Sequence, residues 1–193
     1  MRLLFATHNQ NKFKEVKSLI PSFIELLSLN DVKIETDVEE TSDTIEGNAL
    51  LKVRTIYHQT GMNCFADDSG LLVEALNGAP GVYSARYAGD QKNDDDNIQK
   101  LISDLYDITN RKAYFKTVIA IIIDGKEQLF EGIINGHIIT EKRGNNGFGY
   151  DPIFMPDGYD KTFSEMNLAT KNAISHRAIA FKKVINYLTT LHS

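Results

Sequence analysis

Length, composition and charge restrict the class of protein. The chain has 193 residues, of which 42% are hydrophobic, enough for one globular domain or two closely joined lobes with a core that needs no disulfide. Lysine and arginine number 21 against 26 acids, and the net charge of −5 argues against a general nucleic-acid-binding surface.

No segment predicts export or a membrane. The apolar runs are far shorter than the roughly 20 residues of a membrane span. Residues Met1 to Ala6 lead directly into polar residues and do not form a signal peptide. The one cysteine, Cys64, lies in an apolar run and permits a reducing compartment. We expect a single domain over residues 1–193, in the cytoplasm.

The first predicted elements are a strand over Leu3 to Thr7 and a helix that ends before Pro21. Thr7-His8-Asn9-Gln10-Asn11-Lys12 lies between them. Free N–H groups at a helix N-terminus suit a phosphate, and Lys12 adds a positive charge. The glycines of a Walker loop are absent. The segment is therefore either a phosphate cradle or an ordinary turn with an asparagine cap.

A second strand is predicted over Ile24 to Leu29, and an acidic stretch follows it. Most of this stretch has the composition of a solvated face, although either Glu39 or Glu40 could supply a carboxylate to a metal. Asp43 and Glu46 have the spacing of a capping pair.

A helix follows the acidic stretch. Apolar residues from Ile45 to Tyr57 trace one of its faces, and Gly61 should end it. We expect Lys52 and Arg54 to be solvated charges on this helix.

The most informative stretch is Phe65-Ala66-Asp67-Asp68-Ser69-Gly70-Leu71-Leu72-Val73. The acids and the Ser-Gly pair predict a polar turn between two apolar strands. Carboxylates at the end of a rigid strand suit Mg²⁺, which prefers oxygen ligands, and they suit the activation of water. Taken alone, the tetrapeptide is more typical of a plain polar turn than of a metal site.

The middle of the chain combines a loop, a helix and a hairpin. A loop from Asn77 to Gly89 contains Arg86, which could contact a phosphate or pair with an acid. The three acids Asp94 to Asp96 open a helix and complement its dipole, which is a structural role. Asp124-Gly125 predicts a hairpin turn between two long strands.

A glycine-rich stretch with aromatic residues runs from Arg143 to Phe154. Its glycines let the backbone approach a ligand closely. Phe148 and Tyr150 offer flat surfaces on which a base could stack. The alternative is a glycine-rich turn whose aromatic residues belong to the core.

The last predicted helix begins near Ser175, which is a plausible N-cap, and ends near Leu188. His176 and Arg177 then fall in its first turn, where cations are unfavourable beside the positive end of the dipole. Such a violation of a local rule indicates a functional site. An anionic or carbonyl-bearing ligand would resolve it, and Lys171 could join the same pocket.

Together these segments resemble the inosine triphosphate pyrophosphatase family over nearly the whole chain. The resemblance rests on five segments in the family's order: Thr7 to Lys12, Ala66 to Leu71, Gly78 to Tyr87, Gly147 to Pro152, and Ile174 to Arg177. It implies Mg²⁺-dependent hydrolysis of inosine, deoxyinosine and xanthosine triphosphates to the monophosphate and pyrophosphate.

The resemblance also implies an α/β fold and a homodimer. The family fold has a long mixed central sheet flanked by helices, with two lobes and the site in a cleft between them. It fits one nucleoside triphosphate pyrophosphatase domain over residues 1–193, whose partner is a small nucleotide and neither nucleic acid nor a membrane.

Site residues follow from the resemblance by matching position. Asp68 would be the proton acceptor and a metal ligand, and Glu40 a second metal ligand. The remaining matched residues would bind the substrate. The triphosphate would be held by Thr7, His8, Asn9, Gln10, Asn11 and Lys12, and the nucleoside by Phe148, Gly149, Tyr150 and Asp151. Ser69 would also touch the substrate, and the contacts to base and phosphate would be completed by Lys171, His176 and Arg177.

Two positions depart from the family pattern. The family usually has a glutamate directly before the residue that matches Asn48, where this chain has Gly47. Ser42 also replaces a common glycine. Both lie close to Glu40 in the sequence, so they weaken that assignment more than the assignment of Asp68.

Two other functions compete with this hypothesis. One is a related enzyme that acts on modified pyrimidine triphosphates. The other is a module that binds a nucleotide or nucleic acid without catalysis. The acidic balance argues against a nucleic-acid ligand, and the retained Asp67 and Asp68 argue against an inert module.

Overall fold

The computed structural model describes residues 1–35 and 37–191. The strands are β1 (Arg2–Phe5), β2 (Glu25–Ser28), β3 (Cys64–Val73), β4 (Lys112–Ile123), β5 (Lys126–Ile138) and β6 (Phe154–Pro156). The α-helices are α1 (Gln10–Lys17), α2 (Ile45–Thr60), α3 (Asp94–Asp104), α4 (Leu168–Ile174) and α5 (His176–Leu191). None of the helices within the described ranges is long and apolar enough to cross a membrane.

The six strands form one mixed sheet in the order β2-β1-β3-β4-β5-β6. Strand β1 pairs in parallel with both β2 and β3, whereas β5 and β6 are antiparallel. The hairpin turn between β4 and β5 is Asp124-Gly125, with φ values of 48° and 76°. Two left-handed residues in succession match the twist of a tight hairpin. The predicted mixed sheet with helices is confirmed.

Strand β3 corrects the prediction for the acidic tetrapeptide. We expected a turn at Asp67 to Gly70, but these residues lie inside one ten-residue strand. Of these four residues, Ser69 is half-buried and the other three are buried. Local turn propensity is overridden here by tertiary partners, because the two carboxylates find buried cations on the neighbouring elements.

Helix ends agree with the sequence in one case and differ in another. Helix α2 ends as predicted at Gly61, whose φ of 63° is left-handed. The predicted cap at Asp43 is wrong, because Thr44 is the N-cap and its hydroxyl accepts a hydrogen bond from the Gly47 N–H at 3.0 Å. Helix α4 and strand β6 were not predicted; both are too short for a clear periodic pattern.

The chain divides into two compact units, each with its own core. The first comprises Met1–Asp68, Thr117–Gly132 and the chain from Arg177 onward; the second comprises Ser69–Lys116 and Ile133–His176. In the first core, Phe65 stacks on Phe5 at 4.4 Å between ring centroids. In the second, Phe115 lies 4.6 Å from Phe154.

Candidate active site

Asp67 and Asp68 are consecutive residues near the middle of β3, and both are buried, with 2% and 5% of their surface exposed. Successive side chains of a strand point to opposite faces of the sheet. The two carboxylates therefore have separate sets of partners. Buried carboxylates need such partners, because an uncompensated charge in a protein interior is very costly.

Asp67 is held by two cations of the first unit. Lys12 Nζ lies 3.1 Å from one carboxylate oxygen, and Arg177 Nε lies 3.1 Å from the other. Arg177 also pairs with Glu15, another buried acid. Burial alone would raise the pKa of Asp67, but the charges of Lys12 and Arg177 outweigh it and hold that pKa well below its usual range. Asp67 is thus a fixed anion.

Asp68 lies in a different cluster of the first unit. Lys52 Nζ is 3.2 Å from Asp68 Oδ1 and 2.8 Å from Glu40 Oε1. The amide of Asn48 donates to Asp68 Oδ2 at a long 3.4 Å. Burial raises the pKa of Asp68 above its usual value, although the charge of Lys52 acts in the opposite direction. Asp68 therefore accepts a proton more readily than an ordinary aspartate.

The prediction that Lys52 is a solvated charge is wrong. Only 11% of its side chain is exposed, and it links Glu40 to Asp68. Its pKa is raised, since the two carboxylates outweigh the lowering effect of burial. The sequence contained an indication of this burial, because Lys52 has the helical spacing of the apolar residues Ala49 and Val53. Arg54 is exposed as expected and pairs with Glu127 at 2.7 Å.

Arg177 lies in the first turn of α5, as predicted, and is almost fully buried at 2% exposed. The expected conflict with the helix dipole is resolved within the chain, because Asp67 and Glu15 supply the negative charge. No ligand is needed to explain the arginine. Glu15 was missed by the sequence reasoning, although its place three residues after Lys12 puts both on one face of α1.

The N-terminus of α1 has the asparagine cap that was the alternative to a phosphate cradle. The side chain of Asn9 accepts hydrogen bonds from the N–H groups of Asn11 and Lys12 at 3.0 and 3.1 Å. Thr7 Oγ1 in turn accepts from the Asn9 N–H at 3.1 Å. A phosphate at this position would replace or supplement the Asn9 side chain.

The other two residues of this segment differ in exposure. Gln10 is exposed and begins α1. His8 Nε2 is buried and lies 3.7 Å from Asp37, beyond hydrogen-bonding distance. Within this segment, Lys12 is the residue whose charge contacts a strand carboxylate.

A second group of predicted residues lies in the second unit, around Asp151. Its carboxylate accepts from Lys171 Nζ at 2.6 Å and from the Phe148 N–H at 2.9 Å. Lys171 Nζ also lies 4.9 Å from the centre of the Phe148 ring, at cation–π distance. Gly147, with φ of 80°, has no room for a side chain, because an added Cβ would lie 2.9 Å from Asp151 Cγ. Asp151 and Lys171 thus fix the conformation of the loop.

The aromatic residues of this loop have different environments. Phe148 is half-buried, whereas Tyr150 is buried in the core and its hydroxyl donates to the Ser84 carbonyl at 2.8 Å. The Gly149 N–H donates to Asp94 Oδ2 at 2.7 Å. Of the two aromatic surfaces predicted for base stacking, the ring of Phe148 is the more accessible.

The remaining predicted residues of the second unit are Ser69 and His176. Ser69 follows Asp68 in β3 and is half-buried. His176 is buried and stacks on Phe115, with ring centroids 4.6 Å apart and planes 11° apart. The plane of the histidine ring is therefore held by its stacking on Phe115.

The two departures from the family pattern lie against each other. An added Cβ at Gly47 would overlap the hydroxyl of Ser42 and lie 2.7 Å from its Cβ. The Ser42 N–H donates to Asn48 Oδ1 at 2.9 Å, and Asn48 is the residue that contacts Asp68. Both departures thus belong to the surroundings of the Asp68 cluster.

The described residues contain no group of three or more histidines, cysteines or acids placed to hold a metal. The candidate donors are Asp68 and Glu40, which share Lys52. Magnesium is commonly bound by one or two carboxylates together with substrate phosphates and water. The donor set fits a metal that binds with a phosphate ligand.

An α/β fold in which two consecutive buried aspartates are each held by cations is typical of an enzyme, since such perturbed groups concentrate at functional sites. Residues 3–187 match the Ham1 family, and the chain belongs to that family. The family resemblance predicted from the sequence is confirmed by relatives that match the chain over nearly its full length.

Three relatives illustrate the match. The dITP/XTP pyrophosphatase of Christiangramia forsetii is 56% identical over 98% of this chain and 100% of its own. The Ham1 protein structure of Staphylococcus aureus has a TM-score of 0.89 at 40% identity, covering 98% of this chain and 99% of that one. The HAM1 protein structure of Coxiella burnetii has a TM-score of 0.91 at 38% identity, with the same coverage.

Proposed function

We propose that this protein is a nucleoside triphosphate pyrophosphatase that hydrolyses the non-canonical purine nucleotides ITP, dITP and XTP to the monophosphate and pyrophosphate. The observation that carries the proposal is the 56% identity, over 98% of the chain, to a relative named dITP/XTP pyrophosphatase. That name agrees with the activity predicted from the sequence, and the substrate is a nucleoside triphosphate. The reaction would remove these nucleotides from the pool.

The metal in this proposal is Mg²⁺, with Asp68 and Glu40 as its protein ligands. Glu40 is favoured over Glu39, because Glu40 lies 2.8 Å from the same ammonium that contacts Asp68, whereas Glu39 is exposed. When bound, the ion would neutralise charge on the phosphates and polarise the phosphorus–oxygen bonds. Lys52 would hold both carboxylates in place before the ion and the substrate arrive.

The chemical step that we propose is attack of a water molecule on the α-phosphorus. Asp68 accepts the proton of that water, a role supported by its burial and by its fixed contacts with Lys52 and Asn48. The bond between the α-phosphorus and the bridging oxygen breaks, and pyrophosphate leaves. Lys12 and the other residues of the segment Thr7 to Lys12 hold the triphosphate, with the Lys12 ammonium stabilising the developing charge.

Recognition of the nucleoside is assigned to the loop around Asp151, with Phe148 stacked against the base. Gly149, Tyr150 and Asp151 hold the nucleoside in this proposal, and the ion pair of Asp151 with Lys171 gives the loop its shape. Ser69 would contact the substrate. A 6-keto oxygen would be recognised by hydrogen-bond donors near His176 and Arg177. The amino group of adenine offers these donors no acceptor.

The remaining parts of the proposal concern assembly and location. We infer one catalytic domain over residues 1–193, because the family match spans residues 3–187. A homodimer in the cytoplasm follows from the family resemblance alone. Neither a nucleic acid nor a membrane is among the proposed partners, in keeping with the net charge of −5.

The proposal is tested by measuring pyrophosphate release from a panel of nucleotides with and without Mg²⁺. We expect dITP, ITP and XTP to be hydrolysed with kcat/KM at least about 10²-fold higher than dATP, the scale that unpaired polar groups in a binding site permit. Preference for methylated pyrimidine triphosphates would instead support the related enzyme. Binding of ITP without release of pyrophosphate would support a binding module.

A further inference from the structure

The segment Glu40 to Thr44, called here the strap, contacts the N-terminal half of α2 through Glu40, Ser42 and Thr44. Glu40 bonds to Lys52 at 2.8 Å. The Ser42 N–H bonds to Asn48, and Thr44 caps the helix. The strap has no regular secondary structure of its own, so these side-chain contacts determine where Glu40 lies.

The cap of α2 lacks one of its usual parts. Thr44 accepts from the N–H of Gly47, the third residue of the helix, which is half of a capping box. In a complete box, a glutamate or glutamine at that third position accepts from the N–H of the cap residue. Glycine has no such group. Here the Thr44 N–H donates instead to the Ser42 hydroxyl, at 3.3 Å.

Ser42 also fills the space that the missing side chain would need. An added Cβ at Gly47 would overlap Ser42 Oγ, and it would lie 2.7 Å from Ser42 Cβ and 2.9 Å from Thr44 Oγ1. Gly47 is not among the glycines with positive φ, so its backbone conformation does not require glycine. Glycine weakens a helix relative to alanine. The position of Ser42 therefore explains why residue 47 has no side chain.

The strap reaches Asp68 through Asn48. The Ser42 N–H donates to Asn48 Oδ1 at 2.9 Å, which turns the amide nitrogen of Asn48 toward Asp68 Oδ2, 3.4 Å away. Asn48 is fully buried, and its orientation is set by these two neighbours. A displaced strap would therefore change the contact of Asn48 with Asp68 and the place of Glu40 together.

We propose that Ser42 supplies, from outside α2, the acceptor that its capping box lacks, and that Ser42 and Gly47 form an interlocked pair which fixes the strap. Ser42 and Asn48 are then positioning residues for Asp68 and Glu40. The interlock is a property of the folded chain alone, whereas the positioning role rests on the proposed function.

The interlock is tested by thermal unfolding, without nucleotide or metal, of Ser42→Gly, Gly47→Glu and the double variant. Ser42→Gly should lower the melting temperature because it frees the strap. Gly47→Glu should lower it because the new side chain overlaps Ser42. The melting temperature of the double variant should lie about 2–4 °C or more above the value that the sum of the two single shifts gives. The reason is that a glutamate at residue 47 then completes the capping box. Additive shifts would overturn the interlock.

Two further variants keep this test decisive. If Gly47→Glu does not fold, Gly47→Ala replaces it. This change should lower the melting temperature of the parent and raise that of Ser42→Gly. A shift of the same sign in both backgrounds would refute the interlock. The control is Gly61→Ala at the C-terminal end of α2: an added Cβ there has no atom within 4 Å, so the change lowers stability through the left-handed φ of 63° and not through the strap. Its shift should add to that of Ser42→Gly.

The positioning role is tested by kcat and KM for dITP with the same proteins. Ser42→Gly should lower kcat about tenfold with little change in KM, and adding Gly47→Glu should restore it; a 1 Å misplacement can cost as much as 10²-fold. Adding Gly61→Ala should restore nothing. An unchanged kcat in Ser42→Gly would exclude the positioning role and leave the interlock intact. If the parent itself does not turn over, the proposed function fails and the unfolding experiment still decides the interlock.

Discussion

At the residue scale, Lys52 is the side chain that links Glu40 to Asp68. It lies 2.8 and 3.2 Å from the two carboxylates, and little of it is exposed. Removing one partner of a buried ion pair leaves an uncompensated charge, which costs more than the pair itself contributes. The structure therefore makes Lys52 important both for stability and for the geometry of the site.

Replacing Lys52 by methionine tests this role. We expect Lys52→Met to lower the free energy of unfolding by about 3 kcal/mol. We also expect kcat for dITP to fall by about 10²-fold, because Asp68 is no longer held in place. Urea denaturation and pyrophosphate release measure the two effects. The matched control is Arg54→Met, two residues along α2, whose exposed pair with Glu127 should contribute at most about 1 kcal/mol. Equal effects of the two substitutions would contradict the role of Lys52.

Cys64, the first residue of β3, gives a pH-dependent prediction for a group outside the two carboxylate clusters. It is fully buried, and burial raises the pKa of its thiol to about 12. In the unfolded chain the thiol titrates near pH ~8.5. Above that pH the unfolded state loses the proton first, so it binds fewer protons than the folded state and stability falls as pH rises. The contribution is fully present below the unfolded pKa and is lost as pH rises toward the folded pKa.

The measurement is urea denaturation of the parent and of Cys64→Ala at pH 8 and pH 10. Between these values the parent should lose about 2 kcal/mol more than the variant, from a slope of about 1.4 kcal/mol per pH unit above the unfolded pKa. The cavity lowers the stability of the variant by the same amount at both pH values, and the variant lacks this slope. Parallel pH dependences for the two proteins would show that the thiol ionises freely in the folded state.

At the element scale, the loop around Asp151 is held by the first turn of α3. The Gly149 N–H donates to Asp94 at 2.7 Å, so this acid has a partner besides the helix dipole. Asp95, in the same turn, pairs instead with the exposed Lys142 at 2.6 Å. The sequence predicted the dipole role for both acids but gave no sign of this difference, since the loop lies some fifty residues further along the chain.

The pair of variants Asp94→Ala and Asp95→Ala separates the two roles. Both remove a favourable charge near the helix N-terminus, which costs roughly 0.3–1 kcal/mol in each case. Only Asp94→Ala frees the Gly149 N–H, so its KM for dITP should rise by about 3–10-fold with kcat little changed, the sign of weaker uniform binding. Equal KM values for the two variants in steady-state assays would mean that Asp94 does not support the nucleoside loop.

At the scale of the whole molecule, the sequence predicted the mixed sheet, the Asp124-Gly125 hairpin and the end of α2 at Gly61, because each has a local cause in periodicity or turn chemistry. It failed where tertiary contacts decide. The tetrapeptide from Asp67 to Gly70 has the composition of a turn, yet its acids are paired with Lys12, Arg177 and Lys52, and it continues a strand.

The candidate site, like the fold, was predicted from the sequence only in part. Asp68 and Glu40 were named from the resemblance, and the structure connects them through Lys52. The sequence could not show that Ser42 and Gly47 contact each other, because their relation depends on how the strap meets α2. Nor could it show that Tyr150 belongs to the core and Phe148 does not, since the two residues have the same local pattern.

The central claim is that water attacks the α-phosphorus of a non-canonical purine nucleoside triphosphate. Turnover of dITP in water enriched in ¹⁸O, with mass spectrometry of both products, tests it most directly. We predict one ¹⁸O atom in the deoxyinosine monophosphate and none in the pyrophosphate when it is released. Label in the pyrophosphate, or release of inorganic phosphate in its place, would contradict the account.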